Sequence, residues 1–492
     1  MPSSEGGKMK QELNFNFARK NGLSRRQFMS RCGACLALAC ASTLPVGVKR
    51  LFAQPSPPAA DTEKAKVRLI FCHEPPERAT WPYQGYDYEG RKKELTARLC
   101  SSCPNIDFMP LTLQKAEDAQ KLLQTDTEVD GYLVYLVGIW TGVPRTIMTS
   151  GRPTILVDDL YAGSGEFLID YAAAKREGLK VVGVSSSRFE DVVEAVKCFE
   201  CMKKLRSSVI LDVSDAEKLW GDPQVIKEVF GTEVKQVYSP EINAAYKQAG
   251  RAQAVEWAAR WIQEAEKVVE PSREEIEKSA AMYLAEKSLL EKYKAQAITM
   301  DCLGLFYGGK LPAYPCLGFF QLNNDGRVGA CEADLPSTTT MLLMTYLVGR
   351  PGYISDPVID TSKNEIIYAH CVASNKVFGP KGAANPYHIR SHSEDRKGAV
   401  VRSLLPLGEI TTTLEFNTSR KEFVMHQSTS IANIDEDKAC RTKLAAEVKG
   451  DIEKLLGEWD RFGWHRVTFF GDHKKAVEMI SALLGIKIVT EA

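Results

Sequence analysis

The sequence predicts an α/β protein with two N-terminal Rossmann-like, parallel-sheet domains followed by a β-rich, barrel-like C-terminal domain. Three observations carry this expectation. Up to about residue 299, short apolar runs alternate with amphipathic helical stretches, the pattern of βαβ units and parallel sheets. From residue 300 the helical patterns thin out, while glycine, proline and aromatic residues become more frequent. Six of the seven histidines fall after residue 369, so the side chains best suited to chemistry collect in the last part of the chain.

The first 53 residues read as a twin-arginine export signal. A basic stretch with Arg19 and Lys20 precedes Ser24-Arg25-Arg26-Gln27-Phe28-Met29, and a modest apolar run follows over residues 32–48. That run is too short and too rich in small residues for a bilayer span, which needs roughly 20 apolar residues. Paired arginines in this setting address folded cargo to the twin-arginine translocase, so the mature protein is expected to be periplasmic or extracellular. Cleavage near Ala53 is one expectation; lipid attachment at Cys40 is another, poorly suited by Ala37. Residues 54–65, rich in proline and alanine, read as a linker.

A first domain, 66–205, has expected strands over 67–72, 132–137, 154–157 and 180–184, with helices over 91–99 and 116–123. A second, 206–299, opens with strands over 207–211 and 234–237 and closes with a helical region over 242–297. Pro271 interrupts that region, and Ser272 with Glu275 makes a capping box, so two helices are expected. The third domain, 300–492, has an expected helix over 341–347 and strands over 366–369, 400–404 and 411–416. It ends in a strand, a helix and a strand over 467–470, 474–484 and 486–489.

The whole chain carries 63 basic and 63 acidic residues. Residues 1–53 hold nine basic and two acidic ones, which leaves 54 against 61, a net of −7, in the remainder. That balance argues against a nucleic-acid or anionic-membrane surface. No second apolar segment is long enough to span a bilayer. No G-x-S-x-G or P-loop pattern is present, which counts against serine hydrolases and NTPases. Thirteen cysteines include two C-x-x-C pairs, Cys100/Cys103 and Cys198/Cys201. Disulfides, half of a zinc site and small buried apolar groups all fit them; the helical pattern around Cys198 favours the last.

The densest grouping of acids and histidine is Glu332 and Asp334, then Asp356, then His370. Glu332 follows an apparent turn, Asn323-Asn324-Asp325-Gly326. Asp356 falls in an expected loop from Gly352 to Pro357, and His370 ends the strand expected over 366–369. Carboxylates and imidazoles delivered from separate strand ends or loops are a common way to build a divalent-metal site; solvated loop acids are the plain alternative.

Cys331-Glu332-Ala333-Asp334, followed by Thr338-Thr339-Thr340 and an apolar helix, resembles the acidic motif that opens the metal site of the L-fucose isomerase and L-arabinose isomerase superfamily. Asp356 stands 24 residues after Glu332, a matching interval for that family's second acidic ligand. Ile366-Ile367-Tyr368-Ala369-His370-Cys371 resembles the strand that delivers a histidine ligand in the arabinose branch, and Gly463-Trp464-His465-Arg466 resembles the segment delivering the last histidine. The stretch 385–411, with His392, is similar to part of the family's C-terminal domain. The resemblance covers residues 66–490 and is sharpest between 300 and 470.

The resemblance implies a metal-dependent aldose–ketose isomerase or epimerase that acts on a free sugar through an enediol, in a homo-oligomer. It implies Glu332, Asp356, His370 and His465 as metal ligands, with Glu332 and Asp356 also the catalytic acid and base. Mn2+ suits two hard oxygens with one or two imidazoles. Asn323, His392 and Trp464 are expected to contact the sugar, with Lys310 a further candidate; His73 and Trp81 are candidates to close the site of a neighbouring subunit. The chain also departs from both branches. Trp464 stands where the arabinose branch has a second histidine, Asp356 is nearer the fucose branch, and His370 is nearer the arabinose branch. These departures and the export signal keep a second reading open, an exported, non-catalytic sugar-binding protein on an isomerase scaffold.

Overall fold

The computed structural model describes residues 63–492. The expected export signal, with Arg25 and Arg26, and all but the last three residues of the expected linker lie outside the described residues. The described part carries the predicted fold class: two parallel sheets, then an antiparallel barrel. Among the described residues no helix is long and apolar enough to cross a membrane.

The first sheet is built from Ala65–Cys72 (β1), Ile106–Leu113 (β2), Gly131–Leu136 (β3), Thr154–Asp158 (β4) and Val181–Ser185 (β5), all parallel, in the order β2-β1-β3-β4-β5. Helices cover both faces, so β3 and β4 are buried along their whole length and read as continuous apolar runs. β2 was not legible, because Asp107 and Pro110 break its apolar pattern. It lies at the sheet edge, where a proline is tolerated. Cys103, Cys198 and Cys201 are buried in the core beneath this sheet, and all ten described cysteines are free thiols.

Val209–Val213 (β6) and Glu233–Val237 (β7) start the second sheet. After a short strand, Lys267–Val268 (β8), it takes in Ala297–Met300 (β9) and Val328–Cys331 (β10), giving the parallel order β10-β9-β6-β7. The helical region divides at Pro271, where the Ser272 hydroxyl accepts the Glu275 backbone N–H at 3.2 Å and starts the helix Arg273–Lys292. A further break at Ala249-Gly250 makes three helices, with Ser239–Gln248 and Arg251–Glu264, where two were expected. Past residue 300 the chain still serves this sheet. The helix Cys316–Asn324 packs so close to β10 that a Cβ on Gly329 would stand 2.7 Å from the Cα of Phe319.

The helix Leu335–Val348 begins six residues before the expected 341. Asp334 caps it through the Ser337 N–H, Pro336 fits its first turn, and the Thr340 hydroxyl satisfies the Pro336 carbonyl at 2.9 Å. Met341, Leu342, Leu343 and Met344 are all buried, in one core with Phe199 of the first domain and Leu414 of the barrel. This helix therefore joins the layers instead of lying on a surface.

The barrel uses Tyr353–Asp360 (β11), Glu365–His370 (β12), Ile410–Asn417, Glu422–Asn433, Thr442–Val448 and Arg466–Phe470. With Tyr387–Arg390 (β13) and Val400–Ser403 (β14) counted between, the last four are β15, β16, β17 and β18. The antiparallel order β15-β18-β11-β12-β17-β16 closes on itself through the β15–β16 pairing. Lys487–Thr490 (β19) adds to β16 in parallel, and β13 pairs with β14 and β8 in a small separate sheet. The loop expected from Gly352 to Pro357 is instead the start of β11. Gly352 is there for packing: a Cβ would meet Met341 and Val467 at 2.6 Å. Part of the barrel interior is polar. Tyr368, Thr411, Thr413, His426, Ser428 and Thr468 hydrogen-bond to one another.

Candidate metal centre

Three strand ends and one strand interior meet where the second sheet abuts the barrel. Glu332 follows β10, at the carboxyl end of a parallel sheet, the usual place for a ligand in such folds. Glu332 and Ala333 both adopt left-handed backbone, φ +66° and +53°, which costs roughly 1–2 kcal/mol per residue without glycine. This turn lets one short segment supply Glu332 and, two residues on, the helix cap Asp334. Asp356 lies within β11, opposite Ala369 of β12, and His370 is the last residue of β12. His465 immediately precedes β18, whose Arg466 pairs with Ser355. The barrel register thus sets Asp356, His370 and His465 side by side.

Each of the four residues offers a ligand atom, and these atoms all lie within 4.8 Å of one another. His370 Nε2 is 3.4 Å from Glu332 and 3.9 Å from Asp356; His465 Nε2 is 3.6 Å from Glu332 and 3.3 Å from Asp356. Ligands of an ion at ~2.1 Å stand ~3.0 Å apart when adjacent and ~4.2 Å when opposed, so the cluster is the right size. The polar bookkeeping agrees. Nε2 of His370 and Nε2 of His465 are buried with no hydrogen-bond partner, an unusual debt for a folded protein unless an ion or water fills the space between. Two carboxylate oxygens and two imidazole nitrogens fit a divalent cation of intermediate hardness.

Charge tightens the arrangement. Burial works to raise the Glu332 and Asp356 carboxyls, but the facing histidines outweigh it; Glu332 falls below its usual range and Asp356 drops to about 2. Burial works to lower His370 and His465, and the carboxylates overcome it in turn, His465 being lifted furthest. Without a cation the cluster therefore holds protons on its imidazoles, and a cation must displace them.

Asp334 has a role that residue type alone did not reveal. Its Oδ2 accepts the His465 Nδ1–H at 2.8 Å and the Ser337 hydroxyl at 2.7 Å, while Oδ1 accepts the Ser337 N–H at 2.9 Å. A carboxylate only accepts, so Nδ1 keeps its proton, and the proton a cation displaces is the one on Nε2, which leaves that lone pair facing Glu332 and Asp356. Behind it, Ser337 contacts Glu415 at 3.1 Å. Burial and then the Asp334 charge push the Glu415 carboxyl well above the carboxylate range. Neither the cap position of Asp334 nor its contact with a histidine 131 residues away was expected from the sequence.

Two tryptophans flank the centre. Trp464, 67% exposed, donates its indole N–H to Asp356 Oδ1 at 2.6 Å. Trp220, which the sequence reading did not single out, is 40% exposed and packs its ring 5.0 Å from that of His465. With Lys218, Asn417, Thr418 and His465 they line a cavity of about 410 Å3. A larger cleft of about 900 Å3 lies between β5 and the helix Lys474–Leu484, but its Asp191 and Lys475 are spent on each other at 3.2 Å. Of the four candidate ligands only His465 lines the smaller cavity, together with Asp334.

The other sequence candidates lie elsewhere. Asn323 is buried with both ends of its amide bound to the backbone of Gly329 at 3.0 Å, which ties its helix to β10. His392 is buried, stacked on Tyr314, with Nε2 3.3 Å from the Cys371 sulfur. Lys310 is paired with Asp215 at 2.7 Å. His73 stacks on Tyr88 and lines a separate cavity of about 490 Å3 beyond β1, while Trp81 is half-exposed.

No family model matches the chain. The chain is similar to the sulfoquinovose isomerase of Priestia aryabhattai, 28% identical over 183 residues, which are 36% of this chain and 40% of that protein. The same figures hold for the sulfoquinovose isomerase of Priestia megaterium (strain ATCC 12872 / QMB1551). The sulfoquinovose isomerase of Clostridium sp. (strain MSTE9) is 24% identical over 180 residues, 35% of this chain and 39% of that protein. The similarity spans about two fifths of these relatives' length, and its direction is toward sugar isomerases.

Proposed function

We propose that this protein is a divalent-metal-dependent aldose–ketose isomerase acting on a free sugar. The observation that carries the proposal is the convergence of Glu332, Asp356, His370 and His465 within 4.8 Å, with the Nε2 atoms of both histidines buried and unpartnered. Those four residues would hold the cation, with Mn2+ the first candidate, and the cation would polarise the sugar carbonyl as a Lewis acid.

The chain's own groups do the rest. Glu332 and Asp356, kept ionised by the histidines, stand ready as proton carriers: one accepts the proton from C2 of the aldose, and a proton returns at C1 of the enediol as the hydroxyl proton passes from O2 to O1. His465, locked by Asp334, keeps the carboxylates in place. Trp220 and Trp464, which line the cavity beside His465, offer apolar faces to the sugar ring. The relatives' name makes sulfoquinovose the first aldose to try, beside neutral aldoses.

Purified protein with Mn2+ and each sugar in D2O should incorporate deuterium at C2 of at least one aldose and yield the matching ketose. Clear Mn2+ binding with no exchange on any sugar would remove the isomerase reading and leave a sugar-binding role, which predicts sugar affinity that survives EDTA. Export through the twin-arginine pathway belongs to the same proposal. Loading in the cytoplasm would spare a weak-binding ion such as Mn2+ from competition with Zn2+ and Cu2+.

A further inference from the structure

Five buried or half-buried cysteines, Cys302, Cys316, Cys331, Cys371 and Cys440, belong to the same region of the fold, and none has a part in the chemistry above. Two of them are set apart. Cys371 directly follows the ligand His370, and its sulfur is 3.7 Å from that of Cys440 and 3.3 Å from His392 Nε2. Cys440 sits in the connection from β16 to β17 and is partly exposed, whereas the other four are buried. The β12–β17 ladder pairs His370 with Thr442, which holds the two backbones together.

We propose that Cys371 and Cys440 are a cross-linking site, closed by exchange with a small-molecule disulfide, and that closing it loosens the metal centre through His370. A disulfide needs its sulfurs about 2.05 Å apart, so the pair must close by about 1.6 Å. The ladder restrains the backbone on both sides, and the movement falls on the two residues beyond it. Cys371 is one bond from His370, whose ring is held by no hydrogen bond of its own and follows the shift.

The exchange balances as follows. The Cys440 sulfur attacks one sulfur of the external disulfide, whose S–S bond breaks and releases one thiol. The Cys371 sulfur then attacks the Cys440 sulfur of the mixed disulfide and releases the second thiol. Two protein thiols are oxidised, one external disulfide is reduced, and the two thiol protons leave with the released thiols. Cys440 is the entry point because it is the accessible member, and Cys371, its sulfur 3.7 Å away, resolves the mixed disulfide.

The cross-link stands apart from the proposed isomerase activity; only its effect on metal binding rests on the metal-centre reading. The test holds the folded, metal-free protein with oxidised glutathione, maps the peptides by mass, and titrates Mn2+ before and after. The expected result is a loss of about 2 Da, a single Cys371–Cys440 link, and Mn2+ affinity about tenfold weaker, all reversed by dithiothreitol. C440S should form no link, and its Mn2+ affinity should ignore the oxidant. No link in the folded wild type, or a Cys316–Cys371 link instead, would overturn the site, and this readout needs no variant. A Cys371–Cys440 link with unchanged Mn2+ affinity would overturn the coupling. Reduced protein that binds no Mn2+ would sink the metal-centre reading while the mass map still decides the cross-link.

Discussion

Replacing Asp334 with asparagine isolates the part of the centre that orients a ligand without touching the ion. Asparagine caps a helix about as well as aspartate, so D334N keeps the Ser337 N–H satisfied and should leave stability within about 0.5 kcal/mol of wild type. The other half of the side chain changes sign. Where Oδ2 accepts the His465 Nδ1–H at 2.8 Å, the variant presents an amide donor. His465 must then accept on Nδ1 and carry its proton on Nε2, the nitrogen 3.3 Å from Asp356 and 3.6 Å from Glu332. A protonated Nε2 cannot ligate. Loss of such an orienting partner weakens metal affinity by about 10–100-fold, or about 1.4–2.7 kcal/mol. Isothermal titration with Mn2+, beside thermal melts of the metal-free protein, reads both effects. D334A should show the same loss of affinity plus about 1 kcal/mol of lost stability from the missing cap. Wild-type affinity in D334N would refute the reasoning, because His465 would then be either no ligand or a ligand that needs no orientation.

Four further outcomes are expected. Arg466 is fully buried against Glu491 at 3.0 Å, with His426 on the same carboxylate at 2.7 Å, so E491A leaves a buried charge unpaired and should cost about 3–5 kcal/mol; an unshifted urea midpoint would contradict this. Asp356 has a depressed folded pKa of about 2, so its contribution to the metal-free protein is complete above the unfolded value near 3.9 and is lost as pH falls toward 2. The raised His465 contributes fully below its unfolded value near 6.5 and loses that contribution as pH rises through its elevated folded value, so Mn2+, which needs the neutral ring, should bind more tightly as pH climbs from about 6 to about 8; a flat affinity would count against His465 as ligand. W464F removes the 2.6 Å bond to Asp356 and should raise the lower pKa of the activity profile while leaving Mn2+ affinity within about threefold, since the indole is exposed and no ligand; an unchanged pH profile would show that this contact does nothing for the carboxylate.

The fold class was readable because hydrophobic periodicity is a local property. β3 and β4 are buried on both faces, and the residues alone give continuous apolar runs; the capping box at Ser272 is four residues of local chemistry. Reading failed where neighbours decide. β2 is a strand because β1 offers it an edge. β11 looked like a loop because Gly352 and Pro357 usually mark one, but there a glycine makes room for Met341 and Val467. β16 and β17 pair across a barrel whose interior is partly lined by threonine, serine and histidine, so the apolar alternation that announces a strand is blurred.

The candidate centre divides along the same line. Sequence by itself determined the acids after β10, the crowding of histidines late in the chain and, through a family resemblance, which four side chains to test. It could do so because ligand types and their spacing survive in one dimension. Only the tertiary structure decided that Glu332, Asp356, His370 and His465 stand within 4.8 Å, that Asp334 faces His465 and Trp220 covers it, and that Cys371 lies against Cys440. Each of those facts is a contact across tens to hundreds of residues, set by the register of a closed barrel and its junction with a parallel sheet, and no local pattern carries that register.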